Sequence, residues 1–181
     1  ETPVYKILST DNNIEVRRYE PMIVAQVIVK GDRKNAIKSG FRILADYIFG
    51  NNRLEKDIKM TRPVQQQMSK KIPMTAPVQQ QSFEDLWKIS FIMPAEYNID
   101  SLPKPNNNQV TLKKTSAQKY IVIKFSGTSS DANINKHKKI LMDYIKTQDI
   151  KVIGKPIYAF YNPPWTLPIM RRNEIMIEIA K

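Results

Sequence analysis

Apolar and polar residues alternate along "IEVRRYEP" (residues 14–21), "MIVAQVIVKG" (22–31), "WKISFIMP" (87–94) and "VTLKKTSAQ" (110–118). The same pattern runs through "KYIVIKFSG" (119–127), "PIYAFYNPP" (156–164) and "NEIMIEIA" (173–180). A period of two is the signature of strands with one buried face. Two other stretches change period. Arg33–Phe49 places Ala36, Ile37, Gly40, Phe41, Leu44, Tyr47 and Ile48 on one side of a helix. Ala132–Gln148 does the same with Ile134, Leu141, Tyr144 and Ile145, and Asp131 precedes it as the expected N-cap.

The elements occur twice in the same order. "AQVIVKG" (25–31) resembles "IVIKFSG" (121–127), and "ILADYI" (43–48) matches "ILMDYI" (140–145) at five of six positions. The offsets, 96 and 97 residues, keep step, which points to an internal duplication of about 14–100 and 110–181 within a single domain spanning 1–181. Each half reads strand, strand, helix, strand, strand. The fold class expected is therefore α+β, with two helices on a largely antiparallel curved sheet or barrel. "SLPKPNNNQ" (101–109) is the joint, a surface crossover. A shorter repeat, "MTRPVQQQ" from Met60 and "MTAPVQQQ" from Met74, carries Pro63 and Pro77. Proline cannot donate to a central ladder, so this repeat is expected in rim strands and loops, with Met60 and Met74 turned inward.

Composition narrows the function classes. The 181 residues contain no Cys, which removes disulfides, thiolate metal sites and thiol nucleophiles and fits a reducing or an oxidising compartment. The sequence starts at Glu1 and not at Met, so both a cytoplasmic location and, if an upstream signal segment was removed, export to the periplasm stay open as expectations. The net charge of +12 is uneven: residues 110–181 carry 13 Lys+Arg against 5 Asp+Glu. Such a field attracts phosphates, carboxylates and anionic lipid headgroups. The lysines are scattered and no recognition motif accompanies them, so no specific nucleic acid is expected. With one His, no Gly-rich phosphate loop, no HExxH and no GxSxG, the chain is expected not to be an enzyme.

"KIPMTAPV" (71–78) followed by "YNPPWTLPIMRRNE" (161–174) resembles the SOUL haem-binding family, bacterial members above all. "IEVRRYEP", the "AIKSGF" helix start and "VTLKK…YIVIKFSG" extend the likeness from about Tyr5 to Ile179. The resemblance implies a distorted antiparallel β-barrel flanked by two α-helices and built from two pseudo-symmetric βαββ-like halves. It implies non-covalent binding of haem or a related tetrapyrrole, usually without a catalytic step. The expected role is that of a carrier or buffer, with a monomeric chain and no metal site in the protein itself.

Carried across residue by residue, the family's proposed pocket lies beside the first helix, at Lys38, Phe41, Leu44 and Ala45, and against Trp165 and Thr166. Arg171 and Arg172 would join Lys38 in neutralising propionates. This chain departs from the family pattern at Asp46 and Thr166, where other members carry Lys, and at Arg18, where some carry His. Guanidinium cannot coordinate iron. The remaining candidates for that role are His137, Met60, Met74 and Tyr161. The family is also similar to bacterial effector-binding domains. That likeness supports an alternative, a binding module for another small hydrophobic or cationic molecule with Glu174 as an acidic floor.

Overall fold

The computed structural model describes residues 2–68 and 85–180. Its strands are β1 (Tyr5–Asp11), β2 (Ile14–Tyr19), β3 (Ile23–Lys30), β4 (Val64–Met68), β5 (Leu86–Ile92), β6 (Thr111–Lys114), β7 (Gln118–Phe125), β8 (Ile157–Phe160) and β9 (Asn173–Glu178). The helices are α1 (Arg33–Ile48) and α2 (Asp131–Thr147). All the strands join one antiparallel sheet in the order β1-β2-β7-β9-β8-β4-β5-β3-β6. This is the expected α+β fold, with the barrel left open: β1 and β6 end the sheet, which curls into a half-barrel flanked by the two helices.

The order is symmetric about the central β8–β4 pairing. On one side lie β9, β7 and β2; on the other lie β5, β3 and β6; β1 is added beyond β2. Each half lends its first strand to the other, since β2 pairs with β7 and β6 with β3. We propose that these are two copies of one unit, the duplication suggested by the repeated sequence. The helix starts are tied together too: Arg33 Nε donates to Asp131 Oδ1 at 2.8 Å and its Nη2 to the Ser129 carbonyl at 2.6 Å.

Burial follows the two periodicities. Ala25, Val27, Trp87, Ile89, Phe91, Ile121, Ile123, Ile175 and Ile177 face the helices and meet Ala36, Leu44, Tyr47, Ile48, Ile134, Leu141 and Ile145 in the main core. Helix α1 comes so near β5 that a Cβ at Gly40 would sit 2.3 Å from Ile89 Cγ1. Ile89 is fully buried and cannot swing aside. Gly40→Ala should therefore lower stability by about 1–3 kcal/mol despite alanine's better helix propensity. Thermal unfolding checks this; a variant as stable as the parent would contradict the close approach.

Several expectations are corrected. The first short repeat does not form a rim: Val64–Met68 is a central strand, bonded to β5 and β8. Pro63 stands just outside it, so the ladder needs no N–H from the proline. Met60 is 41% exposed rather than turned inward. Met74 and the second copy lie outside the described residues. The cap of α2 is Ser130, whose hydroxyl accepts from the Asn133 N–H, and Asp131 is the first helical residue. Strand β6 stops at Lys114, short of the alternating run that extended to Gln118. Strand β1 had no expected counterpart, because it is exposed along nearly its whole length and shows no alternation.

Candidate ligand-binding groove

The sheet face away from the helices carries the other half of each alternating pattern. On β3 and β5, Val24, Gln26, Lys88 and Ser90 point there; on β4, Gln65 and Gln67 do. Flat, such a face would simply be wet. Curled, it brings those residues opposite Gln118 and Tyr120 of β7, Ile157 of β8 and Glu178 of β9. The β6–β7 turn, through Thr115 and Ser116, closes one flank. Together they enclose a groove of about 450 Å³, within the roughly 300–1,000 Å³ of small-molecule sites.

The groove has a charge. Lys88, Lys113 and Lys114 line it, against the single carboxylate Glu178 among the described lining residues. Glu178 Oε1 accepts from Gln118 Nε2 at 3.0 Å, and the Tyr120 hydroxyl donates to Gln118 Oε1 at 2.9 Å. Among the described residues, none of the three lysines has an ion-pair partner. Burial, helped by the nearby Lys113 charge, pulls the Lys88 ammonium below its usual range. Burial, with Glu178 nearby, pushes the Tyr120 phenol up to about 12, which disfavours the phenolate. An acidic group entering here would relieve the lysines; a cation would not.

Beside the groove, on the same sheet face, lies a buried polar network that sequence pattern alone did not reveal. Arg17 donates from Nη1 and Nη2 to the two Glu174 oxygens, each at 3.0 Å, and from Nε to Glu15 Oε2 at 2.7 Å. Arg172 Nη2 reaches Glu174 Oε1 at 2.7 Å, and the Tyr161 hydroxyl donates to Oε2 at 3.0 Å. Tyr19 accepts from Arg17 at 2.8 Å, and Lys124 donates to Glu15. Burial alone would raise the Glu15 carboxyl, but Lys124 and Arg17 hold it below its ordinary value of 4.5. Burial likewise works against the Arg17 guanidinium, yet Glu174 holds its proton more tightly than usual.

The tyrosines titrate the other way. Burial and the Glu174 charge keep the Tyr161 phenol protonated above its ordinary 10.0, and burial does the same at Tyr19. Their neutral form is favoured in the folded chain, so the stability they supply is complete below pH 10.0 and drains away as pH rises past it. Denaturant titrations at rising alkaline pH should show that loss. A Tyr19→Phe/Tyr161→Phe variant with the parent's alkaline slope would contradict it.

The structure scatters the residues proposed from the sequence. Leu44 is wholly in the core, and Ala45 is half-buried. Lys38 is exposed, and Phe41, also exposed, lies edge-on to Phe91 at 5.3 Å. Trp165 and Thr166 belong to the β8–β9 loop, which is bonded to the β7–α2 turn through Gly127 N–H and the Pro168 carbonyl at 2.8 Å. Helix α1 instead packs on β3 and β5. Arg171 binds its own loop, and Arg172 and Glu174 belong to the buried network. Glu174 thus already receives Arg17, Arg172 and Tyr161. His137 stacks on Phe125 at 4.2 Å, with Nδ1 2.8 Å from the Asn133 carbonyl.

Comparison with known proteins places the fold in a lineage. The family model described as SOUL heme-binding protein matches residues 1–178. The chain belongs to the SOUL haem-binding family. This SOUL-family chain is also 31% identical to heme-binding protein 2 of Homo sapiens over 90% of its own length and 76% of the relative's. Among solved structures it is similar to the EcmrR C-terminal domain, at 11% identity and TM-score 0.67, covering 98% of this chain and 99% of that one. EcmrR has also been solved in a complex with DNA, where the match spans 57% of that chain, so the fold alone does not exclude proteins that contact nucleic acid.

Two hydrolases from Listeria innocua share the fold at 14% and 15% identity, each with TM-score 0.59 over 96% of this chain and 94% of theirs. They correct the expectation that this SOUL-family chain is not an enzyme. That expectation rested on missing motifs, and a fold that hydrolases share gives no ground for it.

Proposed function

We propose that this protein is a carrier or buffer for a small, partly hydrophobic molecule bearing an acidic group, held in the groove on the helix-free face of the sheet. The observation that carries this reading is the lining: Lys88, Lys113 and Lys114 beside Val24, Ile157 and the Tyr120 ring. The apolar surfaces take the body of the ligand and the lysines its anion. The Glu174 carboxylate, already bound to two guanidiniums, gives no support to a cationic guest.

A tetrapyrrole is the specific reading favoured by family membership and by the name of the human relative. Its propionates suit the three lysines, and its macrocycle would lie against Val24, Ile157 and the Tyr120 ring in a lining that is otherwise polar. Its iron does not: among the described residues the groove offers no imidazole, thiolate or thioether, and its one phenol resists ionisation. No grouping of three His, Cys, Asp or Glu residues that could hold a metal exists among the described residues. Binding would rest on the ring faces and the carboxylates.

Titration of the purified chain with metal-free protoporphyrin and with hemin tests both levels. Saturable binding of both at similar affinity is expected, with esterified porphyrin weaker. Binding confined to hemin would overturn the metal-independent reading. Tighter binding of cationic amphiphiles than of acidic ones would overturn the acidic ligand.

A further inference from the structure

Between Tyr161 and Arg172 the chain leaves the sheet and turns large apolar side chains into solvent. Trp165 is 84% exposed, Leu167 63%, Ile169 80% and Met170 70%. A loop serving only to join β8 to β9 would gain by folding such residues inward. Here the backbone is braced against that collapse. Arg171 donates from Nε to the Thr166 carbonyl at 2.7 Å and from Nη2 to the Pro164 carbonyl at 2.5 Å. The Arg172 N–H donates to Asn162 Oδ1 at 2.6 Å, and Pro163, Pro164 and Pro168 restrict the turns between.

We propose that this tip docks on a lipid bilayer, its apolar side chains entering the interfacial layer of a surface rich in anionic lipid. Charge favours that occupant. Residues 161–172 contain two Arg and no Asp or Glu. Two carboxylates near the tip are compensated: Glu174 is buried under Arg17 and Arg172, and Asp131, the first residue of α2, is paired with Arg33. Residues 110–181, which contain the tip, carry 13 Lys+Arg against 5 Asp+Glu. Lipid phosphates approaching the tip thus meet a positive field with no exposed, unpaired acid among the residues that brace it. An indole joins an apolar ring to one polar N–H, which suits the boundary between headgroups and acyl chains. A braced tip also loses little conformational freedom on docking. The groove stays free, because Ile157 and Glu178 line it at one end of β8 and β9 while Phe160 and Asn173 lead into the tip at the other.

Flotation with phosphatidylcholine vesicles, with and without phosphatidylglycerol, tests the proposal on the whole chain. Binding to the anionic vesicles is expected, weakening with salt, with a blue shift in tryptophan emission. The chain has two Trp and Trp87 is buried, so the shift reports Trp165. A Trp165→Ser/Ile169→Ser variant should partition about tenfold less, with an unchanged far-UV spectrum because both residues are exposed. Three results would overturn the proposal. They are no binding to either vesicle, equal binding by the double variant (surface lysines acting alone), and self-association that the variant abolishes without vesicle binding (a second copy as the occupant).

Discussion

Arg17→Met should melt about 10 °C below the parent, a loss of about 3–5 kcal/mol. Arg17 is fully buried on β2 and holds two carboxylates from two different strands, Glu15 and Glu174. Removing the guanidinium leaves Glu15 with Lys124 alone and takes a bidentate partner from Glu174. The remaining charge is then buried without sufficient compensation, which costs more than the pair contributed when intact. Arg172 continues to serve Glu174 from a part-exposed position. For that reason Arg17→Met/Glu174→Gln should be no less stable than Arg17→Met alone, since the second change removes the charge the first one strands. A single variant within about 1 kcal/mol of the parent would show that the network is not what holds β2, β7 and β9 in register.

The second large effect concerns the groove. Lys88→Gln and Lys113→Gln should each weaken binding of an acidic tetrapyrrole about tenfold, the worth of one charge-assisted contact. Lys88 has the larger share of the argument, because it is half-buried and its charge is already disfavoured by its surroundings. An entering carboxylate restores what burial removed. The same substitutions should leave an esterified porphyrin unchanged and flatten the salt dependence of the acid. Equal losses for acid and ester would mean that the lysines shape the wall and do not pair with the ligand.

Much of the fold was legible because period and burial agree. Both helices fall within a residue or so of their expected spans, since Leu44, Tyr47, Ile48, Leu141 and Ile145 all reach the core as their spacing requires. Strand β1 was not legible, for an edge strand exposed on both faces leaves no alternation to read. Strand β4 misled through Pro63, whose exclusion from a ladder is real but ends one residue before the strand begins.

The site was hidden for a different reason. Gln26, Lys88, Ser90 and Glu178 are the polar members of alternating runs, and a single strand assigns such residues to solvent. They become a groove only because the sheet curls and sets β3 and β5 across from β7 and β9. That is a property of the strand order, to which no one segment testifies. Arg17 and Arg18 show the limit most sharply. Adjacent and identical in type, one is wholly buried between two acids and the other exposed, decided by which face of β2 each occupies.

One comparison tests most directly where the ligand sits. Protoporphyrin would be titrated in parallel into Gln26→Trp, which fills the groove from β3, and into Lys38→Ala/Phe41→Ala, which strips the exposed side of α1. The groove account predicts that saturable binding is lost in the first and kept at parental affinity in the second. Binding that survives the indole and disappears with Lys38 and Phe41 would place the ligand on the helix side and contradict it.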